Sequence, residues 1–147
     1  MKPFTFRLES VLKYRKFMEK KAMLRLMQKK KAREEIEMAI NHLSVRQSDL
    51  ATKCSQVGEK GTDAFLFQSY KSYLDTLREN IETAFVELKE KEHQIRDQEA
   101  VLKKETTHKK ALEKLRERRF EAHRGMREKM EQDYLDELVI NQRGARV

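Results

Sequence analysis

The stretch IEMAINHLSVRQSDLATKCSQV, residues 36–57, decides the fold. Ile36, Ile40, Leu43, Gln47, Leu50, Cys54 and Val57 recur at alternating steps of four and three. Such heptad spacing is that of a coiled-coil seam, because a 3.5-residue repeat keeps one helix face toward a partner. The residues that follow, Gly58-Glu59-Lys60-Gly61-Thr62-Asp63, read as a break. Glycine past a helix end suits a left-handed cap, and Thr62 or Asp63 can cap the next helix. A short connection makes neighbouring helices antiparallel.

Run backward, the same frame passes through Arg33, Lys29, Leu26, Ala22, Glu19, Arg15, Leu12 and Leu8. Four of those eight are charged, so the expectation is a weaker or shifted seam in the N-terminal half. Val11, Phe17, Met18, Leu24 and Met27 spread apolar surface around that half, which can mean a second contact surface. Thr5 or Ser10 is the expected cap, with Pro3 where a first turn tolerates it.

After the break, apolar residues keep a helical period through Leu66, Tyr70, Tyr73, Leu77, Ile81, Ala84, Leu88, Ile95, Leu102, Leu112, Leu115, Ala122, Met126, Tyr134 and Leu138. Lys103 to Lys110 is poor in apolar residues, so low local stability is expected there. Gly125 inside a helix costs about 1 kcal/mol relative to alanine. The expected fold class is all-α: two long helices in an antiparallel coiled-coil hairpin, the second longer. The expected organisation is one domain over residues 1–147: helix one about 5–57, a turn at 58–62, helix two about 63–140 and a flexible tail at 141–147. At 1.5 Å per residue the helices are roughly 80 and 115 Å long. With facing positions adding to about 120, Leu8 lies near Leu112 and Leu50 near Tyr70. Beyond about Leu115 helix two then has no intramolecular partner, and the overhang carries Met126, Met130, Tyr134 and Leu138. An unpaired apolar stripe points to a partner.

Composition bounds the chemistry. Of 147 residues, 39% are charged and 38% apolar, with one proline and four glycines, so a large core is not available. An enzyme needs a walled pocket; two helices offer surfaces and ends. His42, His93, His108 and His123 are scattered, read as solvent-exposed, and lack metal-ligand spacing. No phosphate-binding glycine loop, nucleophile elbow or dinucleotide fingerprint occurs. No catalysis, cofactor or metal is expected. The single Cys54 lies on the seam and reads as a small buried hydrophobe. No stretch has the length and apolarity of a signal peptide or a membrane span, and the default compartment is the cytoplasm.

The net charge of +8 is unevenly spread. Lys13 to Arg33 holds ten Lys/Arg and one acid; Lys103 to Arg127 holds ten against four acids. Glu128 to Glu137 reverses sign, with five acids and one lysine. A charge run is either a solvated helix face or a partner surface. Near the break, Phe65, Phe67, Tyr70 and Tyr73 put four aromatics within nine positions, more than one narrow groove can take. They are core filling or a partner hot spot.

The opening block Phe4-Thr5-Phe6-Arg7-Leu8-Glu9-Ser10-Val11-Leu12, with Tyr14-Arg15, Glu19 and Ala22, resembles the N-terminus of the flagellar FliJ family. Residues 110–119 (KALEKLRERR) and Tyr134-Leu-Asp-Glu-Leu138 are similar to that family's C-terminal helix. The resemblance implies a non-catalytic coiled-coil component of the flagellar type III export apparatus, similar to the two-helix stalk of a rotary ATPase gamma subunit. It implies three partners: a FliI-like export ATPase hexamer, an FlhA-like export-gate protein, and export chaperones. It places the protein in the cytoplasm, peripheral to the inner membrane. By carry-over, the gate contact candidates are Phe65, Tyr70, Tyr73 and Leu77. The ATPase-ring candidates are Arg118, Arg119, Arg124, Arg127, Met126, Met130, Tyr134 and Leu138. The competing reading is a basic coiled-coil adaptor for nucleic acid or a membrane surface. Lysine and arginine release counterions from phosphates, but no recognised nucleic-acid motif is present, and no specific nucleic acid is expected.

Overall fold

The computed structural model describes residues 1–61 and 63–146. Among these residues two helices make up the fold: α1, Glu9–Lys60, and α2, Ala64–Gly144. The second is the longer, 81 residues against 52. The chain forms two compact units, Met1–Lys21 with Leu102–Val147, and Ala22–Val101. In each unit the helices pair antiparallel, as the hairpin reading requires. Glu19 meets Lys109 and Glu9 meets Arg116 in the first unit. Ala22 meets Gln98, and Arg46 meets Tyr73, in the second.

The seam of α1 keeps one frame. Every position from Leu8 to Val57 in the heptad series is buried or half-buried, including the charged Arg15, Glu19, Lys29 and Arg33. The expected shift does not occur: Arg15, Glu19 and Lys29 meet partners across the seam, while Arg33 pairs along its own helix with Glu37 at 3.8 Å and its Nε is buried without a hydrogen bond. Lys109 Nζ donates to Glu19 Oε1 at 2.9 Å, and the Arg15 guanidinium lies 3.6 Å from the Glu105 carboxylate. Lys29 Nζ reaches Gln98 Oε1 at 3.4 Å. The apolar-poor run from Lys103 to Lys110 supplies the partners of Arg15 and Glu19, and Glu105, Thr106, His108 and Lys109 are all half-buried.

The seam of α2 differs in phase at its start. Phe67, Tyr70, Leu74 and Leu77 turn inward, whereas Leu66 and Tyr73, expected on the seam, are 40% and 39% exposed. Gly58 explains the choice. It lies inside α1 rather than in the turn, and a Cβ there would sit 3.0 Å from Phe67 Cε2. The missing side chain leaves room for the Phe67 ring. From Phe67 the covered positions run at steps of three and four through Ile81, Leu88, Ile95, Gln98 and Leu102 to Leu112. Leu12, Leu77 and Ile95 are the most buried apolar residues, at 2–3% exposure, and Cys54 is buried on the same seam.

Helix ends follow local chemistry. Gly61 has φ +63° and its N–H donates to the Val57 carbonyl at 3.1 Å, the left-handed cap that glycine makes without Cβ strain. Asp63 caps α2: its Oδ1 accepts from Phe65 N and Leu66 N at 3.0 and 3.1 Å. Thr62, the other candidate cap, lies outside the described residues. At the start of α1, neither Thr5 nor Ser10 takes the cap position. The Leu8 carbonyl accepts the first helical bond, from Leu12 N, and Glu9 N donates to Phe6 in a preceding turn. At the other end α2 continues through Gly144, beyond the expected frayed start at 141.

Candidate partner-binding surfaces

The first surface lies beside the turn. Phe65 is 81% exposed and, with Gln68, Ser69, Ser72, Tyr73 and Thr76, lines a shallow groove on α2. Arg46 of α1 stands over the Tyr73 ring, 5.8 Å from its centre, a cation–π contact between the two helices. Tyr70 is half-buried. Leu77 is a correction: at 2% exposure it is packed between the helices and presents nothing to a partner. Of the four aromatics near the break, Phe67 and Tyr70 serve the seam, while Phe65 and Tyr73 form the surface.

The second surface is the C-terminal part of α2. It begins later than the register implies. The segment Met1–Leu8 is not helical and lies along α2. Phe4 meets Phe120 edge-to-face, ring centres 5.3 Å apart, and stacks at a tilt on His123 at 5.6 Å. His123 Nε2 donates to the Lys2 carbonyl at 3.0 Å. Phe6 is buried with the Arg119 guanidinium 5.9 Å from its ring centre. Non-helical chain advances up to about 3.3 Å per residue against 1.5 Å in a helix. A few residues therefore carry the intramolecular cover past Leu115 to His123. His123 and His108 are accordingly half-buried, not exposed; His42 and His93 are exposed.

From Arg124 to Arg146 every residue is exposed. Met126, Tyr134 and Leu138, expected on the seam, are therefore not on it, and Ala122, also expected there, is exposed. Met126, Met130 and Tyr134 are about 60% exposed and Leu138 40%. Arg124 and Arg127 pair along their own helix with Glu128 and Glu131 at 3.7 and 3.4 Å. Exposed pairs of this kind are worth only about 0.3–0.5 kcal/mol, so both guanidiniums can change partner at little cost. Arg118 is exposed, and Arg119 is engaged by Phe6.

Charge divides sharply. The first unit holds 20 Lys/Arg against 11 Asp/Glu, the second 13 against 14, so the first carries all of the +8 excess. Inside that unit the Lys109 hydrogen bond holds the Glu19 carboxyl below its usual range, with burial working against it. Glu19 in turn raises Lys109. Both partners shift in the direction of a stable ion pair.

Sequence reading missed the N-terminal strap and its anchors Phe120 and His123. A signal was present: Phe4 and Phe6 alternate at the period of extended chain, and Pro3 biases Lys2 away from helix. No described helix is long and apolar enough to cross a membrane.

No curated protein and no solved structure matches the chain. The family model described as "Flagellar FliJ protein" matches residues 4–146, almost the whole length. It spans the Phe4–Leu12 block, both helices and the exposed end of α2, and the chain thus belongs to the flagellar FliJ protein family, a component of the flagellar export apparatus.

Proposed function

We propose that this protein is a non-catalytic stalk of the flagellar export apparatus that docks in the export ATPase ring, promotes its assembly and couples it to the export gate and export chaperones. The observation that carries the reading is the run of α2 from Arg124 onward, exposed at every residue and still apolar along Met126, Met130, Tyr134 and Leu138. A helix that keeps an apolar stripe without an intramolecular cover is suited to a partner wall. Arg118, Arg124 and Arg127 flank the stripe and would meet carboxylates of several ring subunits in turn. A helix so placed biases assembly and turnover without supplying a catalytic group. Phe65 and Tyr73, with the half-buried Tyr70, are the proposed gate contact.

The test is truncation after His123, which keeps the Phe4, Phe120 and His123 contacts. Stimulation of the cognate ATPase should disappear while helicity of the remainder persists. Reversing Arg124 and Arg127 should weaken stimulation, and rising salt should weaken the wild-type effect. Full stimulation by the truncated protein would refute docking through this end. Phe65→Ala with Tyr73→Ala should reduce pull-down by the purified cytoplasmic gate domain; unchanged capture would remove the turn surface from consideration.

A further inference from the structure

One patch of the first unit is used by neither the seam nor the exposed end of α2. Phe17 is 61% exposed on the outer side of α1. Its neighbours one helical turn away, at i±3 and i±4, are Lys13, Tyr14, Lys20 and Lys21. All four are exposed, Tyr14 at 54%, and Lys16 lies beside them. The opposite side of the same turns is committed to the seam. Leu12 is buried at 2%, Arg15 faces Glu105, and Glu19 is bound by Lys109. The segment's acid nearest Phe17 is thus neutralised inward, and the outer face presents cations around two aromatic rings. Exposed Lys103, Lys104, Lys110 and Lys114 on α2 add to the positive field of this unit.

We propose that the Lys13–Lys21 face of α1 binds an anionic lipid bilayer, with Phe17 and Tyr14 entering the headgroup region and the lysines pairing with lipid phosphates. The chemistry separates this partner from a nucleic acid. A polyanion needs the lysines alone. A bilayer also rewards an aromatic held at the centre of the basic ring, because Phe and Tyr partition to the membrane interface. Lys stems reach outward past the ring and let the ammonium groups stay with the phosphates while the ring is buried. The patch is a reversible contact: two rings and four lysines without a long apolar face do not insert as a span.

The chain has no tryptophan, so Phe17→Trp gives a single reporter in the full-length protein. The probes are vesicles of equal parts phosphatidylglycerol and phosphatidylcholine, vesicles of phosphatidylcholine alone, and a single-stranded DNA oligonucleotide. Binding to the anionic vesicles with a blue-shifted tryptophan emission, falling as salt rises, is expected. Neutral vesicles should not bind. Each lysine contributes about fivefold to membrane partitioning, so the Lys13→Gln, Lys20→Gln, Lys21→Gln triple variant should lose about a hundredfold. Phe17→Ala with Tyr14→Ala, which leaves the charge intact and is followed by co-sedimentation with the anionic vesicles, should lose binding several-fold against the wild type. These positions are exposed on the helix, and circular dichroism of each variant verifies its helicity. No binding to anionic vesicles overturns the proposal. So does vesicle binding with an unshifted emission, or binding retained in the triple variant. Binding to the oligonucleotide but not to vesicles would assign the face to nucleic acid instead.

Discussion

Gln98 is a buried polar residue in the seam, at 6% exposure, and replacing it weighs a buried hydrogen bond against apolar burial. Its Nε2 donates to the Ala22 carbonyl at 3.1 Å, and its Oε1 accepts from Lys29 at 3.4 Å. The second contact exceeds the usual N–H···O range and contributes little. The first is a neutral hydrogen bond worth about 0.5–1.5 kcal/mol net. Ala22 lies mid-helix, so its carbonyl keeps its helical partner when Gln98 is removed and no orphan acceptor results. Lys29 is half-buried and can turn to water. Gln98→Leu therefore loses about 1 kcal/mol of hydrogen bonding and gains about 1.5–3 kcal/mol of apolar burial. The expected net effect is a stabilisation of about 1 kcal/mol. Gln98→Ala loses the bond, gains no comparable burial and leaves a gap, and should cost about 1–2 kcal/mol. Urea unfolding followed by circular dichroism measures both, with an unchanged slope required for the comparison. A destabilisation of 1 kcal/mol or more in Gln98→Leu would refute the reasoning. It would mean that the Ala22 and Lys29 bonds outweigh the burial they displace.

Two further outcomes follow from backbone and charge. Gly61→Ala should destabilise by about 1–2 kcal/mol, because φ +63° is strained for an L side chain, whereas Gly125→Ala, open to space within its helix, should raise helicity with about 1 kcal/mol of local gain; equal effects in a urea titration would contradict both assignments. For the Glu19–Lys109 pair, Glu19 is lowered from 4.5 and Lys109 raised from 10.5, so its stabilisation is present between those values, is lost as pH falls below 4.5 through the folded Glu19 value, and is lost again as pH rises above 10.5 through the folded Lys109 value. Glu19→Gln should lower the melting temperature at neutral pH and converge on the wild type in acid; a constant difference across that range would assign the effect to packing.

The seam of α1 was legible because one period, carried from Leu8 to Val57, is a local property of the chain. What blurred it was charge. Arg15 and Glu19 look wrong on a seam until Glu105 and Lys109 are seen opposite, and that information resides in the other helix. The phase of α2 near the turn was ambiguous for a different reason. Apolar residues occupy 66 and 67, and again 73 and 74, so two faces one residue apart are equally apolar. The choice is made by the space above Gly58, a tertiary fact. The exposed end of α2 was legible as a length difference between helices. Its true beginning was not, since the strap obeys a different rise per residue from the helix it covers. Among the candidate surface residues, Leu77 failed because a seam position and a surface position near an aromatic cluster share the same composition.

Gly58 has a consequence for how the turn can vary. Gly61 is constrained by its own backbone, so an L residue there is strained by the left-handed conformation itself, least for asparagine or aspartate and most for β-branched side chains, with open space around it. Residue 58 is constrained by its neighbour, the edge of the Phe67 ring, and its tolerance is a matter of volume. A series from glycine to alanine to valine at this position is then a graded spacer, moving Phe67 outward in steps while leaving the chain's hydrogen bonding untouched. Labels at positions 50 and 70 would read the resulting separation. The turn's sequence thus sets an interhelical distance as well as a change of direction.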